Sequence, residues 1–464
     1  MNRQPIAIIG FSCRYPQSNS AAELWNNLKI GKDCLSRFTK EELLAAGYTE
    51  EQINNPSFVG VKGILSHIDQ FDAQFFGFNP NDAKVIDPQQ RLFLECAWEA
   101  LEHSGHVPTK SEEKRISVFA GMADSCYLQN NLLKNKWLLQ HYNGFQTRVA
   151  TSIGTLATQL SYRFNLHGTS LNLNTACSTG LVVVSQACQD LLLKQSDVAL
   201  AGAVAIEIPQ ISGYLFQPDG IDSTDGYCRP FSDKANGTVF SNGVGVVVLK
   251  RLEDAIADRD TIYTVIKGWG VNNDGHDKLS FVAPSVIGQA ACIRLALQQA
   301  DISPADIGFV EAHGTGTALG DLIEVTALKQ VYEEYTQKKS FCALGSIKSN
   351  LGHTDIAAGI ASLIKATLCL YHKQIPATLH LGDSHPHLRL AESPFYINQA
   401  LITWPDTFRY AAVSAFGVGG TNAHLILEAY DHPLPAMTSA YQNQLIILSA
   451  KTEKALQKTR DNLI

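Results

Sequence analysis

Charge is scarce in this sequence. Only 17% of its 464 residues are Asp, Glu, Lys or Arg, against about 25% in an average soluble protein. The positive sign is the rarer one, with 37 Lys and Arg against 44 Asp and Glu and a net charge of −7. Its densest basic stretches are pairs such as Lys338-Lys339. Nucleic-acid binding needs a basic face, and none is predicted. Long apolar runs are missing too. The longest, Val198 to Ile208, is broken by Glu207 and falls well short of the ~20 residues that span a bilayer, so no membrane role is expected. The first apolar run, Ile6 to Phe11, is too short for a secretory core and reads as a strand.

Closely spaced cysteines are also absent. The ten cysteines, at 13, 34, 96, 126, 177, 188, 228, 292, 342 and 369, never fall within four residues of one another. That excludes CxxC-type metal spacing, and no metal site is expected. Free thiols buried in a reducing, cytoplasmic setting are the expectation.

What is present is apolar and small-residue material: 45% hydrophobic residues and 34 Gly. Disorder is excluded for most of the length. At roughly 100–200 residues per domain the chain holds two to four domains or one large one. Strand-like runs at Ile6–Gly10, Ile116–Ala120, Ser170–Asn174, Val198–Ile208, Gly243–Leu249, Tyr263–Val271, Gly308–Ala312, Ala411–Ser414 and Ala423–Glu428 alternate with helical runs. The helical runs are Ala21–Lys29, Pro88–Ser104, Ser178–Lys194, Ser285–Ala300, Gly320–Tyr335 and Asp355–Tyr371. This predicts an α/β fold. Ser178–Leu193 and Ile356–Leu370 are apolar or small nearly all round. Surface helices would carry a polar face, so these two belong to the interior, where Gly and Ala let neighbours approach. Each half of the chain has a strand followed later by such a helix, a loose duplication. After Glu428, residues 431–444 read as a linker. A strand at Leu445–Leu448 and a helix from Thr452 are expected beyond it, as the start of a further element that is cut short.

Four segments carry candidate chemistry. Asn172 to Gly180 (NLNTACSTG) ends a strand and opens a buried helix at or next to Cys177. A helix N-terminus favours a thiolate and offers N–H groups to an oxyanion. Taken by itself, Cys177 is also one more buried cysteine among ten. Glu311 to Thr317 (EAHGTGT) puts His313 where a strand meets a Gly/Thr turn. Its glycines admit close approach of a ligand to backbone, and its threonine hydroxyls can bond a polar chain. Alone it reads equally as a turn with a capping His. Gly345 to Thr354 (GSIKSNLGHT) places Lys348 five positions before His353 at the mouth of the second interior helix. Buried there, a cation and an imidazole must be paired or used; the bland alternative is a solvated loop. Phe416 to His424 (FGVGGTNAH) lacks the P-loop Lys-Ser/Thr and the dinucleotide glycine spacing, and reads as the flexible wall of a pocket. Neither a G-x-S-x-G nor a cysteine-protease signature is present.

These motifs, with Asp87-Pro88-Gln89-Gln90-Arg91, Trp98–Glu102 (WEALE), Cys228-Arg229-Pro230-Phe231 and Val271-Asn272-Asn273-Asp274-Gly275, resemble the β-ketoacyl synthase (ketosynthase) family from about Pro5 to Glu428. The DPQQR and WEALE segments point to ketosynthase domains of modular type I polyketide synthases. The resemblance implies a thiolase-like fold, five αβαβα layers in two pseudo-symmetric halves. It divides the chain into an N-terminal half with the cysteine (1–255), a C-terminal half with both histidines (256–430), and a linker with the start of a further domain (431–464). It implies a homodimer acting on phosphopantetheine thioesters of acyl carrier protein, with no cofactor bound to this domain and a neighbouring acyltransferase or linker domain as a further partner. Cys177 then resembles the acyl-accepting nucleophile, and His313 and His353 the pair that stabilises the enolate formed by malonyl decarboxylation. Lys348 matches the lysine that tunes site electrostatics. The N–H groups of Cys177 and Phe416 match the oxyanion hole. Thr315, Thr317, Phe416 and Gly417 match pantetheine- and substrate-contacting positions, with Phe416 also a gate.

The pattern departs from the family's at Asn174, Thr179-Gly180, Ser241-Asn242 and Leu322, which touches pocket shape and substrate preference rather than the proposed catalytic side chains. Relatives that pass chains on without condensing typically lose the first histidine. Silent or decarboxylase-type relatives typically lose the cysteine. This chain keeps all three, so decarboxylative Claisen condensation is the expected activity and non-elongating acyl transfer the alternative.

Overall fold

The computed structural model describes residues 4–107, 115–218, 220–431 and 445–463. Beside three small two-stranded sheets among the described residues, the strands of its large sheet in chain order are β1 (Ile6–Arg14), β2 (Ile116–Met122), β3 (Ser170–Asn172), β4 (Val198–Ala205), β5 (Gly243–Arg251), β6 (Thr264–Asn273), β7 (Ile307–Glu311), β8 (Cys342–Gly345), β9 (Phe395–Tyr396), β10 (Tyr410–Phe416) and β11 (Thr421–Ala429). The helices that matter are α1 (Ala21–Lys29), α2 (Pro88–Ser104), α3 (Leu156–Phe164), α4 (Thr179–Leu192), α5 (Val286–Ala300), α6 (Ala318–Glu333), α7 (Lys348–Leu351), α8 (Ala358–His372) and α9 (Glu453–Leu463).

The eleven strands hydrogen-bond in the order β9-β8-β7-β10-β11-β6-β1-β5-β4-β2-β3. Read outward from the centre, the two sides repeat one pattern. On one side β1–β5 and β5–β4 are antiparallel, then β4–β2 and β2–β3 parallel. On the other, β6–β11 and β11–β10 are antiparallel, then β10–β7 and β7–β8 parallel. The halves meet where Ile6–Ile8 of β1 pair with Thr264–Ile266 of β6. The loose duplication of the sequence is therefore a duplication of topology.

Helix α2 packs outside β1 and β5, α3 outside β2 and β3, and α5 outside β6 and β11, with α6 against α5. Helices α4 and α8 touch each other between the two halves of the sheet. This is the five-layered αβαβα arrangement. The centre is closely packed: every residue of α8 from Ala358 to Leu370 is buried. The α4–α8 crossing rests on glycine. A Cβ on Gly180 would lie 2.5 Å from the Ile360 nitrogen, and one on Gly359 would lie 2.7 Å from the Leu181 nitrogen. The Thr179-Gly180 departure thus sits at the closest approach of the two central helices.

Local signals explain the element ends. Helix α2 has the Asp87 side chain capping Gln89, Pro88 in its first turn, and Gly105 in the left-handed region after it, the standard start and stop. One expectation fails. Leu445–Leu448 forms no strand; residues 445–450 are irregular, and Leu445, Ile446 and Ile447 are exposed. Strand-like composition there finds no partner edge among the described residues, and a strand is not stable alone. The expected helix does follow, as α9. The expected linker lies largely in 432–444, outside the described residues.

Candidate active site

The turn before α4 is built by side chains. Asn174 Oδ1 accepts from the Ala176 N–H at 3.0 Å. Thr179 Oγ1 accepts from the Thr175 N–H at 2.8 Å and donates to the Ala176 carbonyl at 2.7 Å. Ala176 is held at φ 54°, a left-handed conformation that costs a non-glycine residue about 1–2 kcal/mol. These bonds offset that cost and turn Cys177 toward the interior, where it is 8% exposed. Two of the family departures, Asn174 and Thr179, are thus parts of the cysteine turn.

The glycine loop after β10 lies directly on this turn. A Cβ on Gly417 would sit 2.2 Å from the Thr175 carbonyl oxygen, so only glycine fits. The Gly417 N–H donates to the Thr421 carbonyl at 2.8 Å. The N–H groups of Val418 and Cys177 bond the Cys177 thiol. The loop packs on the cysteine turn, and Val418, a member of the FGVGGTNAH segment given no role from sequence, is a sulfur partner.

His313 follows β7. Glu324 on α6 accepts its backbone N–H at 2.7 Å and that of Gly314 at 2.8 Å. Asp321 accepts from Phe231 at 2.7 Å and Gly316 at 3.2 Å. These two carboxylates hold the turn through its backbone, and both are buried. Burial pushes Glu324 up to about 7 and Asp321 up to about 6. Sequence reading missed them. Their signal was two acids three apart in a helix whose residues 318–328 are otherwise uncharged. Thr315 and Thr317 join hydroxyls at 2.9 Å, half-buried beside them. Leu322 is half-buried on the same helix.

His353 is clamped by the segment 239–241. Its N–H donates to the Val239 carbonyl at 2.7 Å, and its carbonyl accepts from Ser241 at 2.9 Å. Its ring stacks on Phe240 with centroids 5.4 Å apart. The His313 and His353 rings meet edge-on at 5.6 Å, and Phe416 lies 5.8 Å from His313. Lys348 donates its ammonium to the His313 carbonyl. Burial first, and the Lys348 charge second, hold both imidazoles well below the ordinary histidine range, so both are neutral.

The thiol is a correction. Placement beside a helix end predicts a favoured thiolate. Instead burial, reinforced by the Asp355 carboxylate, pushes Cys177 up to about 11; Lys348 and the two N–H groups pull the other way without winning. Cys177 precedes the capping residue Ser178, and loss of water outweighs the helix end there. The resting group is a thiol.

A cavity of about 210 Å³ adjoins His353 through Phe240. Asp124, Cys126, Glu207, Ser241, Asn242 and Asp355 contribute to its lining. The Ser241-Asn242 departure therefore faces this cavity. Cys126 does as well, and unlike the other nine cysteines it is not buried.

Comparison with known proteins agrees with this geometry. Residues 3–255 match the model for the β-ketoacyl synthase N-terminal domain, 263–382 its C-terminal domain, and 385–463 the ketoacyl-synthetase C-terminal extension. The chain is 43% identical over 469 residues to a phenolphthiocerol/phthiocerol polyketide synthase component of Mycobacterium tuberculosis, covering 99% of this chain and 32% of that protein. It is 38% identical to polyketide synthase PksN of Bacillus subtilis over 97% of this chain and 8% of the relative. It thus spans a third or less of these relatives' length. Among solved structures, ketosynthase twelve of the bacillaene polyketide synthase from Bacillus amyloliquefaciens superposes with a TM-score of 0.88 at 37% identity, covering 94% of this chain and 77% of that one. The ketosynthase from module 6 of the bacillaene synthase of Bacillus subtilis gives 0.84 at 36%, covering 99% and 76%. With this fold, a cysteine turn and two facing histidines, the chain belongs to the β-ketoacyl synthase family, as a ketosynthase domain of the modular polyketide synthase type.

Proposed function

We propose that this domain elongates acyl chains by decarboxylative Claisen condensation. Cys177 Sγ attacks the thioester carbonyl of an acyl chain on the phosphopantetheine of a carrier protein. A C–S bond forms to Cys177, the carrier's C–S bond breaks, and the carrier thiol leaves with the proton that Cys177 gives up. A malonyl-type thioester on a carrier protein then binds with its carbonyl toward the two histidines. Its C–C bond to the carboxylate breaks, CO₂ leaves, and the electron pair becomes an enolate. The enolate carbon attacks the Cys177 thioester, a C–C bond forms, the C–S bond breaks, and the Cys177 sulfur takes up a proton from solvent as the β-ketoacyl carrier protein departs.

The observation that carries this reading is the pair of neutral histidines meeting edge to face, with the Lys348 ammonium acting on both rings and on the buried Cys177 thiol. Neutral imidazole donors aimed where charge develops stabilise an enolate most in a site with little water. The backbone N–H groups of Cys177 and Phe416 serve the acyl carbonyl in this scheme. Thr315, Thr317 and Gly417 flank the pantetheine arm, and Lys348 sets the field at both histidines. The reaction needs no cofactor bound to this domain.

Assembly as a homodimer fits the sheet edge at β3, where Leu171 is 46% exposed and neighbouring Tyr162 is 77% exposed; bare apolar edges invite pairing.

Intact-protein mass after incubation with an acyl thioester tests the first step. The wild-type chain gains the acyl mass and Cys177→Ala does not. Acyl mass on the alanine variant rejects Cys177 as nucleophile. Adding malonyl carrier protein to the loaded chain separates elongation from simple acyl transfer.

A further inference from the structure

Glu311 and Lys365 are the charged pair that the scheme above leaves idle. Neither side chain has exposed surface, and their charged atoms lie 2.7 Å apart. Lys365 projects from α8, the central helix, over the Phe309 ring at 5.5 Å. Glu311 ends β7, two residues before His313, and its other oxygen accepts the Ile347 N–H at 2.6 Å. Ile347 directly precedes Lys348 and has no side-chain cap of its own. One carboxylate thus joins the strand that delivers His313, the turn that delivers Lys348 and His353, and the helix at the centre of the fold.

A buried ion pair is a poor source of stability, because desolvation of both ions consumes most of the attraction. Packed hydrophobic residues could replace the attraction between the two charges, though they would leave the Ile347 N–H without its acceptor. What they would not supply is a fixed negative charge at the back of the site. Lys348 is buried among acids and neutral groups: Glu311 from β7, Glu324 and Asp321 from α6, the thiols of Cys177 and Cys228, and the two histidines. Burial works against its ammonium, and Glu311 is the foremost group that favours it.

We propose that Glu311, with Lys365 as its buried counter-ion, is a positioning residue for condensation: it ties the His313 strand to the Lys348–His353 turn and sets a buried carboxylate behind that turn. This rests on the condensing role given above.

The test uses the whole chain with ¹³Cε-lysine and two variants. Glu311→Gln keeps an acceptor for Ile347 but strands Lys365. Glu311→Gln/Lys365→Met removes both charges and leaves no buried unpaired ion. The Lys348 resonance, assigned with Lys348→Met, is expected to titrate about one pH unit lower in the double variant. Single-turnover condensation by the preloaded chain is expected to fall at least tenfold at pH 8, its alkaline limb moving to lower pH, with Cys177 loading within twofold of wild type. A folded double variant whose Lys348 titrates as in the wild type overturns the proposal. If the wild-type chain loads but never condenses, the condensing role fails, and the Lys348 titration still decides whether Glu311 holds that charge.

Discussion

The Nδ1 of His353 accepts a hydrogen bond from the backbone N–H of Asp355, 3.0 Å away. An imidazole that accepts at Nδ1 while neutral carries its proton on Nε2. The turn after His353 therefore fixes the tautomer that can donate to a substrate oxygen. Asp355 also reaches the nucleophile, since its carboxylate raises the Cys177 thiol. One residue thus touches both halves of the proposed reaction.

The first prediction concerns pH. Both histidines are neutral because burial, then Lys348, depresses them well below their ordinary value. Single-turnover condensation should show no histidine limb between pH 8 and pH 6. A limb with its midpoint near 6.5 would contradict neutral donors. The same depression bears on stability. Unfolded histidines take up protons below about 6.5 while the folded ones do not. Their contribution to stability is present above that pH and is lost as pH falls toward the folded values.

Asp355 predicts the reactivity of the thiol. Replacing it with Asn removes a negative neighbour and favours the thiolate. Cys177 in Asp355→Asn should be alkylated by iodoacetamide several-fold faster than in the wild type at pH 8, where each unit of pKa is worth about a factor of ten in thiolate. Peptide-level mass spectrometry reads this at Cys177 apart from the other thiols. An unchanged or slower rate would show that the carboxylate does not govern the sulfur.

The sequence made some of this site legible and hid the rest for physical reasons. Helix α2 could be bounded to the residue because Asp87, Pro88 and Gly105 act locally. Interior helices α4 and α8 were legible because apolar residues run all round them. Cys177, His313, Lys348 and His353 could be picked out because each stands where a strand or turn meets a helix. Phe240 stacking on His353, Val418 bonding the thiol and Glu311 reaching Ile347 could not. They are contacts between segments far apart in the chain, and only the packed sheet brings them together. The Cys177 acidity was misjudged for a related reason. A helix end is visible in sequence, but the loss of water around a side chain is not.

Thr179 yields a third prediction. Its hydroxyl takes the Thr175 N–H and gives to the Ala176 carbonyl, and the side chain is fully buried. Thr179→Val keeps the shape and strands the Thr175 N–H, while the Ala176 carbonyl still accepts the Thr179 backbone N–H at 2.9 Å; an unsatisfied buried donor costs about 1–3 kcal/mol. Urea denaturation should show the loss, and acyl loading should slow because the Cys177 turn relaxes. Thr179→Ser retains the hydroxyl and should load close to wild type. Equal loading by the Val and Ser variants would mean the brace does not position the cysteine.

The last prediction tests the central crossing. Gly180 and Gly359 place α4 and α8 backbone to backbone, with no room for a side chain on either. Helix propensity alone favours alanine over glycine by about 1 kcal/mol. At position 180 the steric term has the opposite sign. The added methyl would lie 2.5 Å from the Ile360 nitrogen, a backbone atom that cannot rotate away, and overpacking of this kind costs about 1–3 kcal/mol. Gly180→Ala should therefore lower the urea midpoint at unchanged m-value. Because α4 begins just after Cys177 and α8 just after His353, the same shift separates thiol and imidazole, so condensation should fall further than loading. A Gly180→Ala chain as stable as wild type would show that the helices can part without cost. The crossing would then not be what fixes the distance between the two halves of the site.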